Sequence, residues 1–331
     1  MRTMSEKVAV GVIGLGAVGT RSLSYLLDEP ALLVRAIWDP SDQAHQHHIV
    51  ARAIAAGARF AVDAADVIEH SDLVYIATPP KFHRIYAEGV LAAGKLCWCE
   101  KPLSVDENDA LAMIEAAKSA KLPTAVNFAY ASAWCAQELQ RLVITEAVLG
   151  GLCGISIRLH FKAWPRPFQA HATWLSQREQ GGFVREVLSH HIYLAQRLLG
   201  PLQRMSHTIT YPTNEQMLAH GNQTETALLA SLRSETGVPV QVAAMVGGWR
   251  DATELQVMCE QGAARISDWY GLELDDGEGF KRLSASTQDP REAAYRDQAS
   301  HIAAFAQGKP HTWASFEDAW RVQALIESLL Y

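Results

Sequence analysis

The feature that most constrains this chain is a run of glycines set between a strand and a helix. Val8–Ile13 is a short apolar run of strand character. Gly14-Leu15-Gly16-Ala17-Val18-Gly19 follows it and leads into a stretch of helical spacing, Ala17–Leu27. In such a turn Gly14 permits the tight bend, Gly16 lets the backbone approach a pyrophosphate, and Gly19 lets the helix pack on the strand. The helix start, at Ala17 and Val18, offers unpaired N–H groups and a partial positive charge to a phosphate. A bare G-x-G-x-x-G is weak by itself. Here Asp39 closes the second strand about twenty residues further on, which completes a dinucleotide-binding fingerprint. A carboxylate there accepts from both adenosine ribose hydroxyls and repels a 2′-phosphate. No Arg or Lys lies in Asp39–Ile49 to hold an extra phosphate, so NAD is favoured over NADP. The bland reading of Asp39 is a turn starter with Pro40.

The turn heads a longer pattern. Further apolar runs at Leu32–Trp38, Leu73–Ala77, Leu96–Cys99 and Thr124–Asn127 alternate with helical stretches such as Phe82–Ala93 and Val105–Ser119. Nearly continuous apolar strands between helices predict a parallel sheet covered on both faces. Ser104 with Glu107 and Ser315 with Asp318 read as capping boxes, the second shorter-armed. After about residue 128 the texture changes. Helical stretches at Cys135–Val148 and Val184–Leu199 flank a strand, Leu152–Phe161. The β-rich runs Gln203–Tyr211, Thr226–Ser234, Val240–Val246, Glu254–Cys259 and Ala263–Trp269 follow, and helices at Ala293–Gln307 and Phe316–Leu330 close the chain. The expected fold is α/β, a Rossmann dinucleotide-binding domain over 1–127 and a second α/β domain over 128–331. That second domain is built on a large open, mostly antiparallel sheet. A length of 331 residues suits two domains at roughly 150 residues each.

Composition excludes several classes. Apolar types make up 49% and charged types 20%, so a core is affordable and disorder is excluded. Lys and Arg number 29 against 36 Asp and Glu, with no basic stripe, which argues against nucleic acid or an anionic membrane as partner. No apolar run approaches the roughly 18 residues of a membrane span, and the N-terminus does not read as a signal peptide. Five cysteines form no disulfide framework. Cys97 and Cys99 lack a second Cys/His pair, and His45, His47 and His48 read as a solvated helix start, so no metal is expected. Together these features predict a cytoplasmic protein with a small-molecule substrate.

Ligands of an open parallel sheet sit beyond the carboxyl ends of its strands. Thr78-Pro79-Pro80 with His83, Glu100-Lys101-Pro102, and Asn127-Phe128-Ala129-Tyr130 occupy that edge. Pro102 denies Lys101 a helical conformation. A lysine held beside a nicotinamide would polarise a substrate oxygen, though on composition alone Lys101 reads equally as a solvated surface residue. With these spacings the chain resembles the Gfo/Idh/MocA family of NAD(P)-dependent oxidoreductases over nearly its whole length. The segment from Trp174 through Gly181-Gly182-Phe183-Val184-Arg185-Glu186-Val187-Leu188-Ser189-His190 resembles that family's glycine-led helix, with an acid and a histidine four apart. Phe305, Gly308-Lys309-Pro310 and Ser315 match its C-terminal pattern.

The resemblance implies that Lys101 and His190 act on the substrate, with Glu186 beside them. It also implies that Thr78, Pro79, His83 and Glu100 line the cofactor, and that the open sheet makes dimer or tetramer contacts. Phe183 stands where the family commonly has a third glycine, and Glu186 where it has Asp. The Arg often found after the sixth strand is missing from Asn127–Trp134. Glu186 and His190, four apart, share a helix face, while His191 lies about 100° further round. Histidine suits proton removal from a hydroxyl near neutrality. Asn127, Arg158, Trp164, Arg166, Trp174 and Arg185 are the candidate substrate-binding residues. If two of the arginines face the cleft, a carboxylate-bearing substrate is implied. The expected activity is hydride transfer between NAD and a secondary alcohol or ketone of a sugar, cyclitol or related polyol. The alternatives are reduction of an imine or carboxylate-bearing ring, and a non-catalytic dinucleotide-sensing regulator.

Overall fold

The computed structural model describes residues 7–169, 172–212, 223–284 and 289–331. Contacts divide the chain into two compact units. The first is Met1–Ser132 with Glu292–Trp320, and the second is Ala133–Arg291 with Arg321–Tyr331.

In the first unit β1 (Val8–Ile13), β2 (Leu32–Trp38), β3 (Arg59–Phe60), β4 (Leu73–Ile76), β5 (Leu96–Glu100) and β6 (Thr124–Asn127) form one sheet in the order β3-β2-β1-β4-β5-β6. All its pairings are parallel. This is the doubly wound order of a dinucleotide-binding domain. The helices α1 (Ala17–Asp28), α2 (His48–Ala55), α3 (Ala64–Glu69), α4 (His83–Ala92) and α5 (Glu107–Ala120) connect the strands. Every residue of β4 and β6 is buried, as a sheet covered on both faces requires. Helix α5 starts two residues later than the expected capping box places it. Asp106 is the cap, its carboxylate accepting the Asp109 N–H at 2.9 Å, while the Ser104 hydroxyl donates to the Asp106 carbonyl. The expected histidine tract also has local duties. His45 stacks on Phe60, and Nδ1 of His47 accepts the Ile49 N–H at 3.2 Å to cap α2.

By contacts the first unit runs to Ser132, and residues 292–320 return to it. Ala314 accepts the Val126 N–H at 2.9 Å, extending the edge at β6, and Thr124 Oγ1 accepts the Phe316 N–H at 3.0 Å. Ser315 and Asp318 form a reciprocal capping box. The Asp318 carboxylate receives the Ser315 N–H at 3.0 Å, and the Ser315 hydroxyl accepts the Asp318 N–H at 3.1 Å.

In the second unit α6 (Trp134–Gln140) runs into a π-helical turn at Arg141–Thr145. An eight-stranded sheet follows, of β7 (Leu152–Phe161), β8 (Leu202–Thr210), β9 (Ala227–Ser234), β10 (Pro239–Val246), β11 (Ala252–Cys259), β12 (Gly262–Ser267), β13 (Gly271–Asp275) and β14 (Lys281–Arg282). Its order is β14-β13-β12-β11-β7-β10-β9-β8, and only the β7–β10 pairing is parallel. One face is apolar and buried, through Ile157, Leu159, Val242, Leu255 and Val257. The opposite face carries the exposed Leu229, Met245 and Met258 and a charged ladder through Arg158, Glu254, Arg265 and Glu273. On the buried side a π-helical turn, Val184–Leu188, leads into α7 (Ser189–Leu199). Phe183 at its start meets the inward-facing Phe161 of β7 at 5.6 Å. The last helices are α8 (Pro290–Ala306) and α9 (Phe316–Leu330), and among the described residues no helix is long and apolar enough to cross a membrane.

Candidate functional site

The glycine turn is built as its sequence requires. Gly14 has φ +97°, and a Cβ at Gly19 would lie 2.0 Å from the Gly14 carbonyl oxygen, so helix and strand touch backbone to backbone there. A Cβ at Gly16 would meet nothing within 4 Å, which leaves open space over the turn. Helix α1 begins at Ala17 with no side-chain cap and no acidic residue in its first turn, and Val18 is exposed. Its first N–H groups and its dipole are thus available to an anion. One oxygen of Asp39 accepts the Leu15 N–H at 2.7 Å and the other the Ser41 N–H at 2.8 Å. Each oxygen keeps a second lone pair for a ribose hydroxyl. Nearby, Thr78 Oγ1 is buried without a hydrogen-bond partner, beside Pro79 at the end of β4. An open cradle, an uncapped helix start and an orphaned hydroxyl fit a bound dinucleotide.

Three residues expected to meet ligands instead hold this edge in shape. His83 is fully buried. Its Nε2 lies 2.9 Å from the Thr78 carbonyl, and its Nδ1 lies 3.0 Å and 3.2 Å from the carbonyls of Pro102 and Leu103. Burial lowers its pKa. It is packed between the Thr78 turn and the Lys101 turn, and as a neutral ring it donates to the carbonyls of only one of them. The Lys101–Pro102 peptide within that second turn is cis. Glu100 points into the unit, where its Oε1 accepts from the Tyr75 hydroxyl and from Asn127 Nδ2. Asn127 also donates to Tyr75 at 3.3 Å and accepts from Gln298 at 2.5 Å. Both donors of the Asn127 amide are thus engaged within the unit, as is Glu100 Oε1. Burial and the Glu100 charge hold the Tyr75 phenol protonated. Lys101 follows directly on this rigid network, half-buried at the strand end.

In the second unit the helix carrying Glu186 and His190 opens with the π-turn rather than an α-turn. Such turns insert a residue into the helical repeat and cluster at functional sites. Its start is fixed by Glu225, which the sequence reading missed. This carboxyl is 1% exposed, accepts the Val184 N–H at 2.7 Å, and is raised in pKa by burial. A Cβ at Gly182 would lie 2.4 Å from Glu225 Oε1, so only glycine fits at that φ of +98°. Nothing in the local pattern around Glu225 marks it, because its partner lies 41 residues away.

The candidate substrate arginines separate. Arg158 alternates to the open face of the sheet and pairs with Glu254, opposite the face that Phe183 covers. Arg185 is buried in a two-pronged pair with Glu327 at 2.7 Å for each contact, and donates to the Arg178 and Gly181 carbonyls. It is a structural clamp. Trp164 is likewise core: its indole N–H donates to the Leu175 carbonyl at 3.2 Å and its ring packs on Phe161 and Phe183. Trp174 is half-buried in a short 3₁₀ turn, Thr173–Ser176. Arg166 donates to Gln169 at 2.9 Å, and its guanidinium lies 4.8–6.0 Å from the rings of Phe168, Trp164, Phe161 and Trp269.

Trp269 also meets both histidines of α7. Its ring lies 5.6 Å from His190 at 72° and 5.8 Å from His191 at 51°. The expected strand Ala263–Trp269 stops at Ser267, and the indole projects from the turn instead. His191 is fully buried, faces the Val187 carbonyl at 3.1 Å, and is pushed down to about 4 by burial. Among the described residues, no group of three or more His, Cys, Asp or Glu is placed to hold a metal ion.

A doubly wound parallel sheet with this glycine cradle, joined to a second unit on a large open sheet, defines an NAD(P)-dependent oxidoreductase. The oxidoreductase family with an NAD-binding Rossmann fold matches residues 8–128, and the GFO/IDH/MocA C-terminal domain matches residues 138–265. The chain belongs to the Gfo/Idh/MocA family. It is 26% identical to an inositol 2-dehydrogenase of Corynebacterium glutamicum over 98% of this chain and 95% of that protein. An inositol 2-dehydrogenase of Cereibacter sphaeroides is 32% identical over 110 residues, about a third (32%) of each chain. An oxidoreductase from Agrobacterium radiobacter, solved with NAD+, L-tartaric acid and magnesium, superposes with a TM-score of 0.80 at 19% identity, covering 97% of this chain and 95% of that one. At that identity the likeness speaks to the fold.

Proposed function

We propose that this protein is an NAD-preferring dehydrogenase that oxidises a secondary alcohol of a ring polyol, a sugar or cyclitol. The observation that carries this reading is the retention of both Lys101, on the turn after β5, and His190, on the glycine-led helix, in a chain whose glycine turn is open for a dinucleotide. The likeness to inositol 2-dehydrogenases along almost the whole chain supports the substrate class. Residues Gly14–Gly19 and Asp39 would hold the cofactor, which when bound supplies the hydride acceptor. His190 takes the hydroxyl proton as the C–H bond breaks. The Lys101 ammonium stabilises the negative charge that grows on the substrate oxygen. Glu186, one turn before His190, orients the imidazole or a substrate hydroxyl. The open sheet face, with Leu229, Met245 and Met258, is the surface through which copies would associate.

Incubating the purified protein with NAD and a panel of cyclitols, pyranoses and acyclic polyols, while following absorbance of the reduced cofactor, tests the reading. Reduction with at least one ring polyol is expected. Cofactor binding without turnover on any alcohol, ketone or imine would favour a dinucleotide-sensing regulator.

A further inference from the structure

The turn between β12 and β13 is shaped by something other than chain economy. Asp268 and Trp269 both adopt left-handed backbone, at φ 48° and 76°. Aspartate visits that region readily, but for a bulky residue it is an outlier that points to a hypothesis of function. Thr253 on β11 holds both residues there. Its carbonyl accepts the Asp268 N–H at 2.9 Å, and its buried hydroxyl accepts the Trp269 N–H at 3.1 Å. The conformation does not serve to bury the indole, which stays half-exposed. It serves to stand the ring beside His190, 5.6 Å away and nearly perpendicular, with the Arg166 guanidinium at 6.0 Å.

We infer that Trp269 is a substrate platform, an indole wall beside His190 that receives the apolar C–H face of a ring polyol and selects ring substrates over acyclic ones. The inference rests on the dehydrogenase reading above and names the substrate-side contact that reading lacks. A cyclitol or pyranose carries its hydroxyls around a rim and presents C–H groups on a face. An aromatic wall takes up that face while polar neighbours address the rim. An acyclic polyol has no such face.

The test uses the full chain with NAD and three probes: myo-inositol, D-glucose and the acyclic sorbitol. Trp269→Ala should raise KM for the ring polyols by about tenfold while kcat stays within about threefold, and Trp269→Phe should restore KM to within about threefold. KM for sorbitol should move by less than about threefold. Trp269→Leu, bulky but without an aromatic face, should behave as Trp269→Ala and carries the test if the alanine variant does not fold. An unchanged KM in both variants overturns the platform. A fall in kcat alone also overturns it, because the ring would then only position His190. Saturation-transfer NMR of myo-inositol on the protein with reduced cofactor reads the contact without turnover. Saturation of the ring C–H protons that is lost in the variants, in a protein that transfers no hydride, would leave the platform standing and the dehydrogenase reading refuted. No saturation on the wild-type protein would refute the platform.

Discussion

His83 and Thr78 are joined across the mouth of the parallel sheet, the imidazole Nε2 lying 2.9 Å from the Thr78 carbonyl while the other ring nitrogen faces Pro102. One buried side chain therefore fills the gap between the turn with the orphaned Thr78 hydroxyl and the turn that carries Lys101. Replacing His83 by Ala removes the one N–H that pairs with a buried carbonyl, at about 1–3 kcal/mol, and leaves a cavity between the two turns. The His83→Ala protein should melt several degrees lower and should lose NAD affinity and turnover together, because both turns loosen. Thermal unfolding alongside an NAD titration checks this. Weakened NAD binding at an unchanged melting temperature would show that His83 contacts the cofactor directly after all.

Asp39 has two duties, and its substitution should show both. Its carboxylate accepts the Leu15 N–H within the glycine turn and keeps a second lone pair on each oxygen for a ribose hydroxyl. The wild-type protein should bind NAD at least about tenfold tighter than NADP, since a phosphate dianion beside a carboxylate costs at least about 1.4 kcal/mol. Asp39→Ala should narrow that ratio and weaken both cofactors, the second effect following from the released turn. Fluorescence titration of the two reduced cofactors measures the ratio. Equal wild-type affinities would mean that the carboxylate serves the turn alone.

His191 predicts how stability depends on pH. Burial pushes its pKa to about 4 in the folded protein, below the roughly 6.5 of an exposed histidine. The folded state thus favours the neutral ring and the unfolded chain takes up the proton first. The stabilisation is complete above about pH 6.5 and is lost as pH falls towards 4, by about 3 kcal/mol over that window. His191→Phe, which cannot titrate, should flatten the acid limb of the melting curve between pH 7 and pH 4.5 relative to wild type. Parallel pH profiles for the two proteins would exclude His191 as the titrating group.

Much of the fold was legible because it rests on local periodicity. The strands Val8–Ile13 and Leu152–Phe161 and the helix Phe316–Leu330 have the bounds that their apolar spacing predicts. The glycine turn and Asp39 were readable for the same reason, since their chemistry is tied to fixed offsets. What spacing does not encode is which way a polar side chain faces once the chain is packed. Arg158 and Arg185 are suitable residue types for a carboxylate, yet Glu254 and Glu327 claim them from 96 and 142 positions away. Asn127 is claimed in the same way by Gln298. Trp269 escaped notice for the opposite reason: a bulky residue in a left-handed turn looks like the end of a strand until the backbone is seen.

The proposed chemistry stands or falls on Lys101 and His190. In alcohol oxidation the hydroxyl proton must leave as the hydride departs, and negative charge builds on the oxygen between the two events. A base and a cation serve that one moment. Removing general-base catalysis typically costs 10²–10⁴-fold, and removing a charged partner of the developing oxyanion about as much. Lys101→Ala and His190→Ala should each lower turnover at least about a hundredfold. Because the cradle is made by Gly14–Gly19 and Asp39, NAD affinity should stay within a few-fold in both. The double variant should lose less than the product of the single losses, since the two groups act on one transition state. Lys101→Arg keeps the charge but changes its shape and donor geometry, and should recover only part of the rate. Steady-state and single-turnover kinetics on a ring polyol, with NAD affinity measured separately, decide the matter: near-normal turnover in both alanine variants would move the catalytic groups elsewhere.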